Sequence, residues 1–347
     1  MQNLRNANIL VTGGAGFIGS SLCEYFVKNG NKVICLDNLS TGLKKNLEDI
    51  AGDSSFTFVE GDIRDFTLCS KVTKNIDIVF HQAALGSVPR SVKDPLLTNE
   101  VNVGGFLNIL TASRDARVKR FIYAASSSIY GDAVELPKIE PNIGKPLSPY
   151  AVTKFVNELY ADVFSRTYGM DCIGLRYFNV FGRRQTPEGA YAAVIPLWIK
   201  KLIKKESPVI NGDGTNSRDF TYIDNVIHAN ESAAVVSLDE LKKRISIYNG
   251  IPKMADSISE VFNVACGDNT SLKRLFDILK TELSKYDSQI AGIEPIYGNG
   301  RMGDIPHSLA SIEKIKNILD YKPLVGVRQG LEKICEWYWN NQRWYWD

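Results

Sequence analysis

Histidine is scarce. His81, His228 and His307 are the only three in 347 residues, and they stand far apart at no metal-ligand spacing. No zinc or iron site can be read from them, and none is expected. Cysteine is equally uninformative as a ligand or a bridge. Cys23, Cys35, Cys69, Cys172, Cys266 and Cys335 form no C-x-x-C pair and mostly sit in apolar runs. Buried free thiols in a reducing compartment are expected, not disulfides. The formal charge is only +2, so neither nucleic acid nor an acidic membrane is implied as a partner. Lys200, Lys201, Lys204 and Lys205 cluster, but at helical spacing around Trp198, Leu202 and Ile203, as on a solvated helix face. No run reaches 18 apolar residues, and no basic segment leads into an apolar one at the N-terminus. Neither a membrane span nor a signal peptide is expected, which makes a cytoplasmic location the expectation. Internal repeats and low-complexity stretches are also lacking.

What is present is ordinary in bulk, with 44% hydrophobic and 23% charged residues, enough for one large or two modest domains. The order of segments is more telling. Asn8–Thr12 reads as a buried strand, Gly13–Gly19 as a glycine-rich turn, and Ser20–Asn29 as a helix. Such a turn lets a pyrophosphate approach bare backbone at a helix N-terminus. The spacing is G-x-x-G-x-x-G. A second strand, Lys32–Leu36, ends at Asp37, 18 residues past Gly19, near where an acidic residue holds the adenosine ribose of NAD. A carboxylate there repels a 2′-phosphate, which favours NAD over NADP. The same residue could instead cap the turn Asn38–Gly42.

Further strands are expected at Phe56–Glu60, Asp77–His81, Arg120–Ala125 and Asp171–Arg176. Pro95–Arg117 reads as one long helix with Asn102 turned inward, and His81 as a support for its turn. Strands alternating with helices give a doubly wound, Rossmann-type parallel α/β sheet. After Gly182 strands become rarer. Residues 1–180 are therefore assigned to a dinucleotide-binding domain and 181–347 to a smaller lobe. Glu260–Ala265 looks like a strand returning to the main sheet. Helices are expected at Leu272–Leu283, Ser311–Leu319 and Val327–Asn340.

The chemistry centres on Leu147–Lys154 (L-S-P-Y-A-V-T-K). Tyr150 and Lys154 are four apart at a helix start and share a face. An ammonium near a phenol favours the phenolate, which can take a proton from a sugar or alcohol hydroxyl. Ser126, 24 residues earlier, is delivered by the fifth strand to the same edge.

These residues resemble the extended short-chain dehydrogenase/reductase family over nearly the whole chain. The carriers are Thr12–Gly19, Asp37, Gly61–Asp65 (G-D-I-R-D), His81–Ala84 (H-Q-A-A), Ser126–Gly131, S-P-Y-A-V-T-K and Arg176–Gly182 (R-Y-F-N-V-F-G). Within that family the chain is most similar to bacterial nucleotide-sugar 4-epimerases acting on UDP-N-acetylhexosamines, through His81–Ser91, Tyr123–Ser128 and Phe181–Gln185 (F-G-R-R-Q). The resemblance implies a tightly held NAD against Gly13, Gly16, Phe17, Ile18, Asp37, Asn38, Ser40, Gly42, Asp62, Ile63, Gln82, Val180, Tyr150 and Lys154. It implies a sugar nucleotide against Ser87, Ser126, Ser127, Tyr150, Asn179, Ala193, Val194, Asn211, Arg218, Arg301, Asp304 and Ser308.

The implied reaction is reversible inversion at C4 through a 4-keto sugar, with Ser126, Tyr150 and Lys154 catalytic. It would supply sugar nucleotides for surface polysaccharide. Related 4,6-dehydratases carry Asp-Glu after the first hydroxyl residue, where this chain has Ser127 and Ser128. Ser308 stands where hexose-only epimerases carry a bulky tyrosine, which leaves room for an acetamido group, although it could equally cap the helix at Ser311. Acetylated uronate or plain glucose substrates remain alternatives, with a dehydratase or a non-catalytic NAD sensor behind them. The family also implies a homodimer through helices Pro95–Arg117 and Ser148–Tyr168. Two departures stand out: a long connection, Ser237–Ser259, read as a surface excursion, and an aromatic C-terminus with Trp337, Trp339, Trp344 and Trp346, read as packing on the second lobe.

Overall fold

Seven parallel strands form the central sheet of the computed structural model, which describes residues 3–188, 192–250, 256–300 and 306–342. Strand β1 (Asn8–Thr12) leads through the glycine turn into helix α1 (Phe17–Lys28) and then β2 (Lys32–Asp37). Next come β3 (Phe56–Glu60), α2 (Phe66–Val72) and β4 (Ile78–His81). Residues Ile9, Leu10, Val11, Val79 and Phe80 are wholly buried. A parallel strand covered by helices on both faces needs such unbroken apolar runs.

The expected long helix at Pro95–Arg117 is divided. After α3 (Val88–Lys93) come α4 (Pro95–Asn99), a π-helical stretch at Glu100–Gly105, and α5 (Phe106–Asp115). Two features account for the wider turn. Gly104 and Gly105 are poor helix formers, and Asn102 is turned inward. Its side chain accepts from Leu85 N at 2.8 Å and donates to Leu85 O and Thr153 Oγ1 at 3.3 and 3.2 Å.

Strand β5 (Arg120–Ser126), helix α6 (Pro149–Tyr168) and β6 (Cys172–Tyr177) follow. The second half carries β7 (Val180–Phe181), α7 (Val194–Ile203), β8 (Val209–Asn211), β9 (Ser217–Arg218), β10 (Thr221–Tyr222) and α8 (Ile223–Val235). The connection read as a surface excursion is mostly helix α9 (Leu238–Asn249), capped by Ser237 and ended by Gly250 in the left-handed region. It buries Leu241 and Ile245, which gives the segment a core-facing side. Ile251 and Pro252 lie outside the described residues.

Strand β11 (Ser259–Val264) returns to pair in parallel with β6, and the sheet order is β11-β6-β5-β4-β1-β2-β3. The chain ends with β12 (Thr270–Ser271), α10 (Leu272–Ser284), β13 (Ile296–Gly298), α11 (Glu313–Leu319) and α12 (Val327–Asn340). Three two-stranded pairs, β10–β7, β12–β9 and β13–β8, lie outside the central sheet. Trp337 and Trp339 pack half-buried against the core, with Trp339 stacked on Tyr286. Trp344 and Trp346 lie outside the described residues. On α7, Lys201 pairs with Glu206 at 3.5 Å, as a solvated face does.

Because β4 lies beside β1 while β2 and β3 lie on its other flank, a crevice opens at the carboxyl ends of β1 and β4. Open α/β sheets place ligands there. Phe262 on β11 is wholly buried, so Phe262→Ala should lose about 3–5 kcal/mol of unfolding free energy in a denaturant titration.

Candidate active site

The crevice is a cleft of about 540 Å³ whose wall includes Gly13, Gly16, Asp37, Asp62, Gln82, Ser126, Tyr150 and Lys154. Its first wall is the glycine turn. Gly13 has φ +67°, and a Cβ there would stand 2.7 Å from the backbone of Ala83. The turn is thus pressed against the start of the loop after β4, and only a bare backbone fits.

Asp37 holds this end together. Its carboxylate accepts from Ala15 N at 2.9 Å and Leu39 N at 2.8 Å, so it caps the following turn and also faces the cleft. Burial raises its pKa, against the pull of those backbone bonds. Asn38 reaches across to Asp62 at 2.8 Å and accepts from Ser40 N at 3.1 Å. Asp62 also takes the Arg64 guanidinium through bonds of 3.0 and 2.7 Å. Chiefly for that reason its pKa falls to about 2. Phe17, Ile18, Ser40, Ile63 and Val180 complete the expected wall. Gly42 lies behind it, with a would-be Cβ 2.9 Å from Asp37 Oδ1.

The opposite end carries the hydroxyls. Ser126 terminates β5, accepts from Ser128 N at 3.1 Å and stands 2.9 Å from Ser128 Oγ. Helix α6 begins where Ser148 caps it and Pro149 supplies a preset φ. Tyr150 N donates to Ser91 Oγ at 3.0 Å, which fixes the first turn. Lys154 is buried and donates to Ala124 O at 2.8 Å. Desolvation lowers its pKa to about 8, with Glu158 one turn on pulling the other way.

Tyr150 and Lys154 both line the cleft, as their spacing on α6 requires. Burial raises the Tyr150 pKa, and the opposing pull comes from a hydrogen bond with Ser126. The ammonium is spent on the Ala124 carbonyl. His81 supports the turn as read, with Nδ1 2.8 Å from Thr12 Oγ1. Burial lowers its pKa to about 3, so it is neutral.

Ser127 and Asn179 also face the cleft, and Asn179 donates to Asp219 O at 2.9 Å. Other expected sugar-nucleotide residues are not on this wall. Ser87 caps α3, while Ala193 and Val194 start α7. Asn211 ends β8, and Arg218 donates to Ser217 O and Pro306 O at 2.9 and 3.1 Å. Ser308 N donates to Ser217 O at 3.0 Å, beside β9. It does not cap α11, whose N-cap is Ile312. Arg301 and Asp304 lie outside the described residues. Sequence reasoning missed Tyr177 and Gln185 as wall residues, although both stand inside the motifs R-Y-F-N and R-R-Q. Among the described residues no group of His, Cys, Asp and Glu is arranged to hold a metal, and no helix is long and apolar enough to cross a membrane.

A phosphate-sized turn of bare backbone, an acidic residue at the end of β2 and a Ser/Tyr/Lys set at the far end define a dinucleotide-dependent enzyme site. Residues 9–246 match the family described as the NAD dependent epimerase/dehydratase family, and the chain belongs to it. The chain is 36% identical to a UDP-N-acetylglucosamine 4-epimerase from Methanobrevibacter ruminantium M1, solved with UDP-N-acetylmuramic acid. That match covers 97% of this chain and all of the other, with a TM-score of 0.86. A UDP-glucose 4-epimerase from Thermotoga maritima, solved with UDP-glucose, is 34% identical over 96% of this chain and 99% of its own, with a TM-score of 0.83. A UDP-glucose 4-epimerase of Mycolicibacterium smegmatis is 32% identical over 96% of this chain and 99% of its own. The cofactor is NAD, and the bare Gly13 turn and the unpartnered Gln82 Nε2 on the wall fit a dinucleotide.

The lowered pKa of Lys154 has a consequence with a fixed sign. Its ordinary value is 10.5 and its folded value about 8, so between them the unfolded chain binds the extra proton. Stability therefore rises with pH across that window and is lost as pH falls to about 8. Comparing denaturant midpoints of cofactor-stripped wild type and Lys154→Met from pH 7 to about 10.5 should show this slope only in the wild type.

Proposed function

We propose that this nucleotide-sugar 4-epimerase interconverts UDP-N-acetylglucosamine and UDP-N-acetylgalactosamine. The reaction type is carried by one observation: the Ser126/Tyr150 end of the cleft is lined by hydroxyls and an ammonium, with no carboxylate beside them among the described residues. The two acidic wall residues, Asp37 and Asp62, follow β2 and β3, across β4 and β1 from Ser126 on β5. Dehydration across C5 and C6 needs an acid/base pair at the sugar, and Ser127 and Ser128 supply none.

Tyr150 takes the proton of the 4′-hydroxyl, and Ser126, on the same wall of the cleft, steadies the same oxygen and passes the proton. NAD, when bound, would supply the hydride acceptor and donor, and the positive charge of its oxidised ring would favour the phenolate. Lys154 pins the helix so that the phenol stays at the cleft. Residues 1–180 with β11 hold the cofactor, and 181–347 receive the nucleotide sugar. Three points support the acetylated sugar: Ser127 on the wall, the small Ser308 beside β9, and the likeness to the M. ruminantium enzyme.

Incubation with UDP-N-acetylglucosamine should give UDP-N-acetylgalactosamine at constant total nucleotide sugar. A 4-keto-6-deoxy product would overturn epimerisation. Faster turnover of UDP-glucose or of an acetylated uronate would overturn the sugar assignment alone. Tyr150→Phe should lower kcat by about 10²–10⁴ while NAD stays bound.

The outer face of α3, α4 and α6 exposes Val92, Leu96, Val152, Leu159 and Val163, with Leu96 78% exposed. An apolar face of this kind, on the helices the family resemblance names, suits a homodimer. Sedimentation should give twice the chain mass, and Leu96→Lys with Leu159→Lys should give monomers. A monomeric wild type at micromolar concentration would end the proposal.

A further inference from the structure

We infer that Tyr177 and Asn230 are positioning residues that set which way the Gln82 amide faces, presenting its N–H group to the bound dinucleotide. The inference rests on the cleft being the NAD site and is independent of which sugar is turned over.

The argument starts from an atom that can only accept. Val226 O is a backbone carbonyl on α8, and Asn230 Nδ2 donates to it at 2.8 Å. That bond fixes the Asn230 amide with its nitrogen on this side. The same nitrogen donates to Tyr177 Oη at 2.9 Å. With Oη already accepting, the phenolic hydrogen points onward to Gln82 Oε1, 3.2 Å away. An amide whose oxygen faces Tyr177 turns its nitrogen the other way. Gln82 Nε2 is buried, has no partner within the protein, and belongs to a residue on the cleft wall.

The reversed amide is disfavoured at both ends. Gln82 nitrogen against Oη would leave the phenolic hydrogen without an acceptor while Asn230 still donates. It would also turn a carbonyl oxygen toward the phosphate oxygens of a dinucleotide, which can only accept. The relay keeps its proton at any working pH, since burial raises the Tyr177 pKa to about 12. Asn230 is wholly buried, and Tyr177 is the last residue of β6, so neither is free to turn away. A buried donor without a partner is costly, and an acceptor oxygen on the ligand relieves that cost. The chain thus stores a directed vacancy for one hydrogen bond.

A double-mutant cycle on holoenzyme tests this, read as the rate at which bound NAD exchanges with labelled NAD. Tyr177→Phe keeps the ring and removes the relay. It should speed exchange about tenfold, the size of one misdirected hydrogen bond. Gln82→Glu keeps an acceptor for Tyr177 but removes the donor, and it should speed exchange at least as much. In a Gln82→Ala background, Tyr177→Phe should add nothing. Unchanged exchange in Tyr177→Phe overturns the inference. So does a full Tyr177→Phe effect in the Gln82→Ala background, which would mean that the phenol touches NAD itself. If Tyr177→Phe does not fold, Gln82→Glu decides alone, and unaltered exchange there is equally fatal.

Discussion

The bond from Lys154 Nζ to the Ala124 carbonyl is the constraint on which the site depends. A buried ammonium is costly unless its charge is met by oriented oxygen. Here the partner belongs to the backbone of β5, two residues before Ser126. The charge therefore clamps the first turns of α6 to the end of the strand that carries Ser126. Asn102, bonded to Thr153 and to the Leu85 backbone, braces the same turn from the other side. Tyr150 is held between these two anchors, with its own amide fixed by Ser91.

The two ends of the cleft are built on opposite electrostatic plans. At the β2 and β3 end, carboxylates are met by donors, although burial still raises the pKa of Asp37. Asp62 takes an arginine fork, and Asp37 takes backbone N–H groups. At the β5 end, burial works against charge on both partners, raising the phenol and lowering the ammonium. Four strands span the distance from β2 to β5, so the two regimes do not interfere. One end is built of carboxylates and their donors, the other of hydroxyls and an ammonium.

Much of this was legible in the chain because it follows from local pattern. Buried strands show as short β-branched runs, and β1, β3 and α12 were placed at their observed bounds. Thirteen expected residues of the cofactor set and the Ser/Tyr/Lys trio lie together on the wall, since each sits at a strand end or a helix start. What escaped depends on contacts distant in sequence. The π-helical stretch follows from Asn102 reaching Leu85 and from a glycine pair, which periodicity cannot register. Helix α9 was taken for a surface loop because its apolar face is reduced to Leu241 and Ile245. The burial that raises the Tyr150 pKa also escapes, because spacing gives proximity on a helix and says nothing of burial. Tyr177 gains its meaning only from Asn230, 53 residues later.

The placement of β11 also shapes how the molecule is made. The outermost strand of the sheet comes from residues 259–264, long after the other six, and it covers β6 along its whole length. During synthesis the first 258 residues leave the ribosome with the backbone of β6 open to any passing strand. Only the arrival of Ser259–Val264 seals it. A chain stopped short of that point would carry the whole glycine turn and the Ser/Tyr/Lys trio, yet expose a sticky seam, so truncation before β11 would yield aggregates in place of a minimal NAD-binding fragment.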